Sequence, residues 1–106
     1  MNARIALCTC PDAATASRLA RTLVEERLAA CVSTIDRVVS TYRWQDAVHV
    51  EDEVLLVIKT TADRFEAMQA RLIALHPYEV PEVLAITPTE GAAPYQAWLQ
   101  RETRPA

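Results

Sequence analysis

Two thiols and an imidazole are the side chains here best suited to chemistry. Cys8 and Cys10 lie two positions apart in LCTCPD, residues 7–12. On an extended strand, residues i and i+2 face the same side, so both sulfurs can reach one point. A Cys-x-Cys pair of this kind suits a soft ion such as Cu(I), which prefers thiolate ligands. Two sulfurs are too few for a tetrahedral zinc site. His76, which opens HPYEVPE (76–82), is the natural third donor. The metal set read from sequence is therefore Cys8, His76 and Cys10, with His49 a weaker candidate.

Each of these residues also has a structural reading. Free cysteine packs like a small hydrophobe, so Cys8, Cys10 and Cys31 can simply fill a core. His76 can cap the last carbonyls of a helix and sit at its negative end. Pro77 and Pro81 stiffen a turn, in which Tyr78 can pack its ring and still donate a hydrogen bond. Glu79 and Glu82 can accept cations or bind the backbone of a neighbouring chain. Trp44, Tyr42 and Trp98 read as interface or core residues rather than a cofactor box. An enzyme would pair Cys31 with His76 and needs a depressed thiol pKa. No residue is assigned a catalytic role.

These side chains need a scaffold to hold them. Residues 3–9 form a short apolar run that Pro11 ends, because proline cannot donate to a ladder. Asp12 stands where a helix N-cap belongs. Ala16, Leu19, Ala20, Leu23, Val24 and Leu28 then recur at helical spacing, which predicts a helix over 13–28. Cys31 to Trp44, rich in Val, Ile, Thr, Tyr and Trp, suits a strand with a bulge near Asp36-Arg37. Residues 45–52 read as a polar connection, and EVLLVIKT (53–60) as the second arm of a projecting hairpin. Phe65, Met68, Leu72 and Leu75 predict a helix over 63–75, ending before Pro77. Val83 to Ile86 makes a fourth strand. A short helix holding Tyr95, Trp98 and Leu99 follows Gly91, and the tail RETRPA reads as frayed. The order is β-α-β-β-α-β with an extra C-terminal helix. This α+β, ferredoxin-like pattern makes an antiparallel four-stranded sheet with two helices on one face.

Composition narrows the function. The 106 residues fit one domain, 1–106. Eleven Lys and Arg against fourteen Asp and Glu, with no basic block, argue against nucleic acid. A single Gly leaves no glycine-rich phosphate loop, so no organic cofactor is expected. The longest apolar run, Val54 to Ile58, is far too short to span a bilayer, and the first residues do not read as a signal peptide. Three cysteines do not form a secreted disulfide framework. A cytoplasmic protein with reduced thiols is expected. Val54 to Ile58 is also apolar on both pleat faces. Two helices cover only one face, so a second copy of the chain is expected against the other, the alternative being a monomer whose C-terminal helix folds across it.

TCPD (9–12), LVEERLAACV (23–32), YRW (42–44), EVLLVIKT (53–60), HPYEVPEV (76–83) and YQAWL (95–99) occur in that order. Together they resemble the CutA family of divalent cation tolerance proteins, over residues 5 to about 101. The resemblance implies a compact homotrimer of ferredoxin-like subunits, similar in shape to the PII signal-transduction proteins. It implies links to copper and other divalent metals and no catalysed reaction. A PII-like sensor or adaptor, binding a small ligand or protein partner at subunit clefts, is the second reading. One departure stands out: the family hairpin carries W-x-G, whereas Trp44-Gln45-Asp46 puts Asp at the Gly position. Asp tolerates left-handed backbone angles better than most residues, so the turn is expected to survive.

Overall fold

The computed structural model describes residues 1–105. Strand β1 (Ala3–Cys10) leads into helix α1 (Ala13–Glu25). Strands β2 (Cys31–Trp44) and β3 (Ala47–Thr61) form a long hairpin. Helix α2 (Ala62–Leu75), strand β4 (Leu84–Ile86) and helix α3 (Ala93–Glu102) complete the chain. All strand pairs are antiparallel, in the order β2-β3-β1-β4. The expected ferredoxin-like order and extra C-terminal helix are both present. No helix among the described residues is long and apolar enough to cross a membrane.

The core lies between the sheet and α1 with α2. Ala6, Cys8 and Cys10 from β1 and Val54, Leu56 and Ile58 from β3 point at the helices. They meet Ala16, Leu19 and Leu23 of α1 and Met68 and Leu72 of α2. Each large aliphatic side chain buried in this way contributes roughly 1.5–3 kcal/mol relative to exposure.

The helix ends are set locally. Asp12 caps α1, its carboxylate accepting from the Thr15 amide at 2.7 Å. That bond, with the Thr15 hydroxyl, holds the Asp12 carboxyl below its ordinary range. The helix stops at Glu25, short of the expected residue 28. Arg27 takes a left-handed conformation, φ 60°. The Leu28 amide then reaches back to the Leu23 carbonyl at 2.9 Å, and the Arg27 amide to Val24 at 3.1 Å. This is a Schellman ending with arginine where glycine is usual. It tucks Leu28 back onto the core, which is why Leu28 still fits the apolar stripe of α1.

The hairpin corrects a second expectation. Residues 47–52 are strand, not loose connection, and pair with β2 from Val39 to Trp44. The connection is only Gln45-Asp46, at φ 49° and 65°, as a two-residue type I′ turn requires. Asp46 therefore takes the left-handed position without glycine. The expected bulge appears as a register shift between Ile35 and Val38. The tail corrects a third. Arg101 and Glu102 belong to α3, and the buried Thr103 hydroxyl donates to the Leu99 carbonyl at 2.8 Å. Ala106 lies outside the described residues.

The face away from α1 and α2 carries Ile5, Leu7, Ile35, Leu55, Val57, Leu84 and Ile86, as the register and alternating burial place them, and α3 packs only on its Ala3–Thr61 end. In the single chain Leu84 is 69% and Ile86 55% exposed.

Candidate metal centre

The pleat of β1 puts Cys8 and Cys10 on its helix-facing side, where neither is exposed to solvent. Helix α2 must end before Pro77, so His76 turns extended at φ −76°, ψ 138°. Its ring then folds over the end of β1. Because β1 is a central strand beside β3, this happens within one chain. One ligand atom from each of Cys8, Cys10 and His76 lies within 4.8 Å of the others, and all three residues are buried. The three donors expected from the sequence thus form one cluster, because strand order and the α2 stop converge there.

His76 is held on both sides. The Tyr78 amide donates to Nδ1 at 3.1 Å. With Nδ1 accepting, Nε2 carries the proton and donates to the Thr9 carbonyl at 2.8 Å. The imidazole can ligate only by releasing one of these bonds. The thiols titrate unequally. The neighbouring Cys8 S–H, and to a lesser degree Arg18, pull Cys10 below its ordinary pKa. Cys8 is pushed up by its interaction with Cys10, by burial, and by the charges of Cys10, Glu82 and Glu53. The two thiols therefore oppose each other's ionisation, and a soft cation would supply the charge that lets both ionise. Two sulfurs and a nitrogen suit a thiophilic ion, so the residues present fit a soft metal.

The other candidates lie elsewhere. His49 stacks on Tyr42 in the hairpin, centroids 5.4 Å apart. Cys31 faces the opposite side of the sheet, paired with Lys59, whose Nζ is 3.8 Å from its sulfur. The Cys31–His76 pair an enzyme would need is not formed.

Sequence reasoning missed Glu53. It is only 8% exposed and accepts the Tyr78 hydroxyl at 2.6 Å. Burial, then this bond, raises the Tyr78 pKa above its ordinary value. The available signal was a carboxylate leading the otherwise apolar strand EVLLVIKT. On the far side of Thr9 from the thiols opens a cavity of about 570 Å³, walled by Tyr42, Trp44, Glu53, Tyr78 and the Glu79–Glu82 turn.

Residues 4–102 match the family model of the CutA1 divalent ion tolerance protein. A divalent-cation tolerance protein CutA from Thermus thermophilus is 44% identical over 99 residues, covering 93% of this chain and 96% of that protein. The human protein CutA is 40% identical over 98 residues, and this chain spans 55% of its length. The crystal structure of CutA from Xylella fastidiosa superposes with a TM-score of 0.95 at 41% identity, covering 98% of this chain and all of that one. A family match over nearly the whole chain, relatives at this identity and a shared fold agree, and the chain belongs to the CutA1 divalent ion tolerance family.

Proposed function

We propose that this protein is a non-catalytic metal-binding protein of divalent cation tolerance that holds a soft ion, copper first, between Cys8, Cys10 and His76. The observation carrying this reading is the approach of two thiols and an imidazole to within 4.8 Å in a buried site. A bound ion would supply the charge that lets both sulfurs ionise. Cys8 and Cys10 would be its sulfur donors, and His76 would join only by giving up either the Thr9 carbonyl or the Tyr78 amide. The family takes its name from tolerance rather than from a reaction, which fits a carrier or buffer. Three free thiols suit the reducing cytoplasm.

The acting unit is a homotrimer in this reading. Support comes from the apolar sheet face away from α1 and α2, which α3 covers only at its Ala3–Thr61 end, leaving Leu84 and Ile86 more than half exposed. Anaerobic titration with Cu(I), and with Zn(II) as the harder competitor, tests the site. Stoichiometric Cu(I) binding per chain, lost in Cys8→Ser and in His76→Ala, is expected. Unchanged affinity in both variants would remove the assignment.

A further inference from the structure

The cavity beyond Thr9 has a consistent chemistry that the thiols do not explain. Its walls bring three aromatic rings, Tyr42, Trp44 and Tyr78, together with three carboxylates, Glu53, Glu79 and Glu82. Among the described residues the lining contains no Lys or Arg. Glu53 is more than nine-tenths buried and lines this space. The only hydrogen bond its carboxylate takes among the described residues comes from the Tyr78 hydroxyl. None of the ion pairs, Arg21–Glu25, Arg37–Asp52 or Arg71–Glu26, involves it. A carboxylate this far from water is normally neutralised by a cation, and here its own chain supplies none among the described residues. Burial and the charge of Glu53 together raise the Glu82 pKa, the response expected where negative charge is concentrated without a counter-ion.

A bare metal ion would use the carboxylates and leave the rings idle. Aromatic faces add binding energy for cations whose charge is spread over a substituted nitrogen, as in ammonium and guanidinium groups. A volume of about 570 Å³ exceeds what a single ion needs and falls in the range of small-molecule pockets. We propose that the cavity formed by Tyr42, Trp44, Tyr78, Glu53, Glu79 and Glu82 binds a small organic cation, an ammonium or guanidinium compound. Its charged nitrogen sits between Glu53 and Glu82, and its carbon skeleton lies against the Tyr42 and Trp44 rings. The site is separate from the thiol cluster, divided from it by the β1 backbone at Thr9, and does not depend on a metal.

Calorimetry on the intact, assembled protein tests this, with choline, spermidine and agmatine as probes and glutamate as the anionic control. In a Trp98→Phe background, Trp44 fluorescence reports occupancy directly. Saturable binding of at least one cation, one per chain, is expected. Glu53→Gln and Trp44→Leu should each weaken it about tenfold, with Glu82→Gln as the variant least able to disturb folding. Cys8→Ser should leave it unchanged even where copper binding is lost. No saturation by any of the three cations at millimolar concentration would overturn the proposal. So would binding indifferent to all three cavity variants, loss of binding in Cys8→Ser, or equal binding of glutamate.

Discussion

His76 illustrates how much one side chain can be asked to do. Its two ring nitrogens tie the backbone of β1 to the turn that follows α2. Tyr78, in that turn, ties back to β3 through Glu53. Tyr78→Phe keeps the ring but removes the donor to a buried carboxylate. Urea unfolding should register a loss of about 1 kcal/mol, discounted for the partial exposure of Tyr78. The same variant has a pH signature. The Tyr78 hydroxyl keeps its proton to higher pH folded than unfolded. Its stabilisation is therefore complete below about pH 10 and declines as pH rises beyond that toward the folded value. Thermal melts from pH 9 to 11 should show a shallower alkaline decline in Tyr78→Phe than in the parent. That Cys8 and Cys10 share a face is readable from sequence because strand alternation fixes it, whereas the approach of His76 depends on strand order and on where α2 stops. Glu53 is not, because its burial depends on the turn at 76–82 folding over it.

The individual elements carry information the sequence states only weakly. The periodicity of α1 extends to residue 28 because the stop at Arg27 lacks glycine, the usual marker of a left-handed cap. The long β3 reads as divided because QDAVHVED looks polar, although Val48 and Val50 alternate with His49 and Glu51 as a strand requires. The turn itself is legible, since Asp46 occupies the position where left-handed φ is needed. Asp46→Gly should relieve the cost of that angle and stabilise the hairpin by about 1 kcal/mol, measured by chemical denaturation. Leu72→Ala, in the last turn of α2 and fully buried in the core, should destabilise by about 2–5 kcal/mol. The cap of α1 sets an acid limit. Asp12 is depressed in the fold, so its contribution is present above its unfolded pKa near 3.9 and fades as pH falls through the lower folded value. Asp12→Ala should lower the melting temperature at pH 7 and leave it nearly unchanged at pH 2.

At the scale of the molecule, one sheet face is packed and the other is covered only at one end, by α3. Leu84→Glu places a charge on the edge strand β4, on the face away from α1 and α2, without touching the thiols or the core. Sedimentation should then give the mass of one chain, where the parent is expected to sediment as an assembly; an unchanged mass would mean that β4 lies outside the interface. The chain is drawn out to 44 × 27 × 22 Å, and the outer part of the β2–β3 hairpin leaves Val39, Val48 and Val50 mostly exposed. A two-stranded ribbon with no third layer is barely stable in water. Amide protons from Val38 to Glu53 should therefore exchange slowly only while a companion chain lies across them. Their protection would rise and fall with protein concentration, while the amides of Leu56 and Ile58 would hold theirs at any dilution.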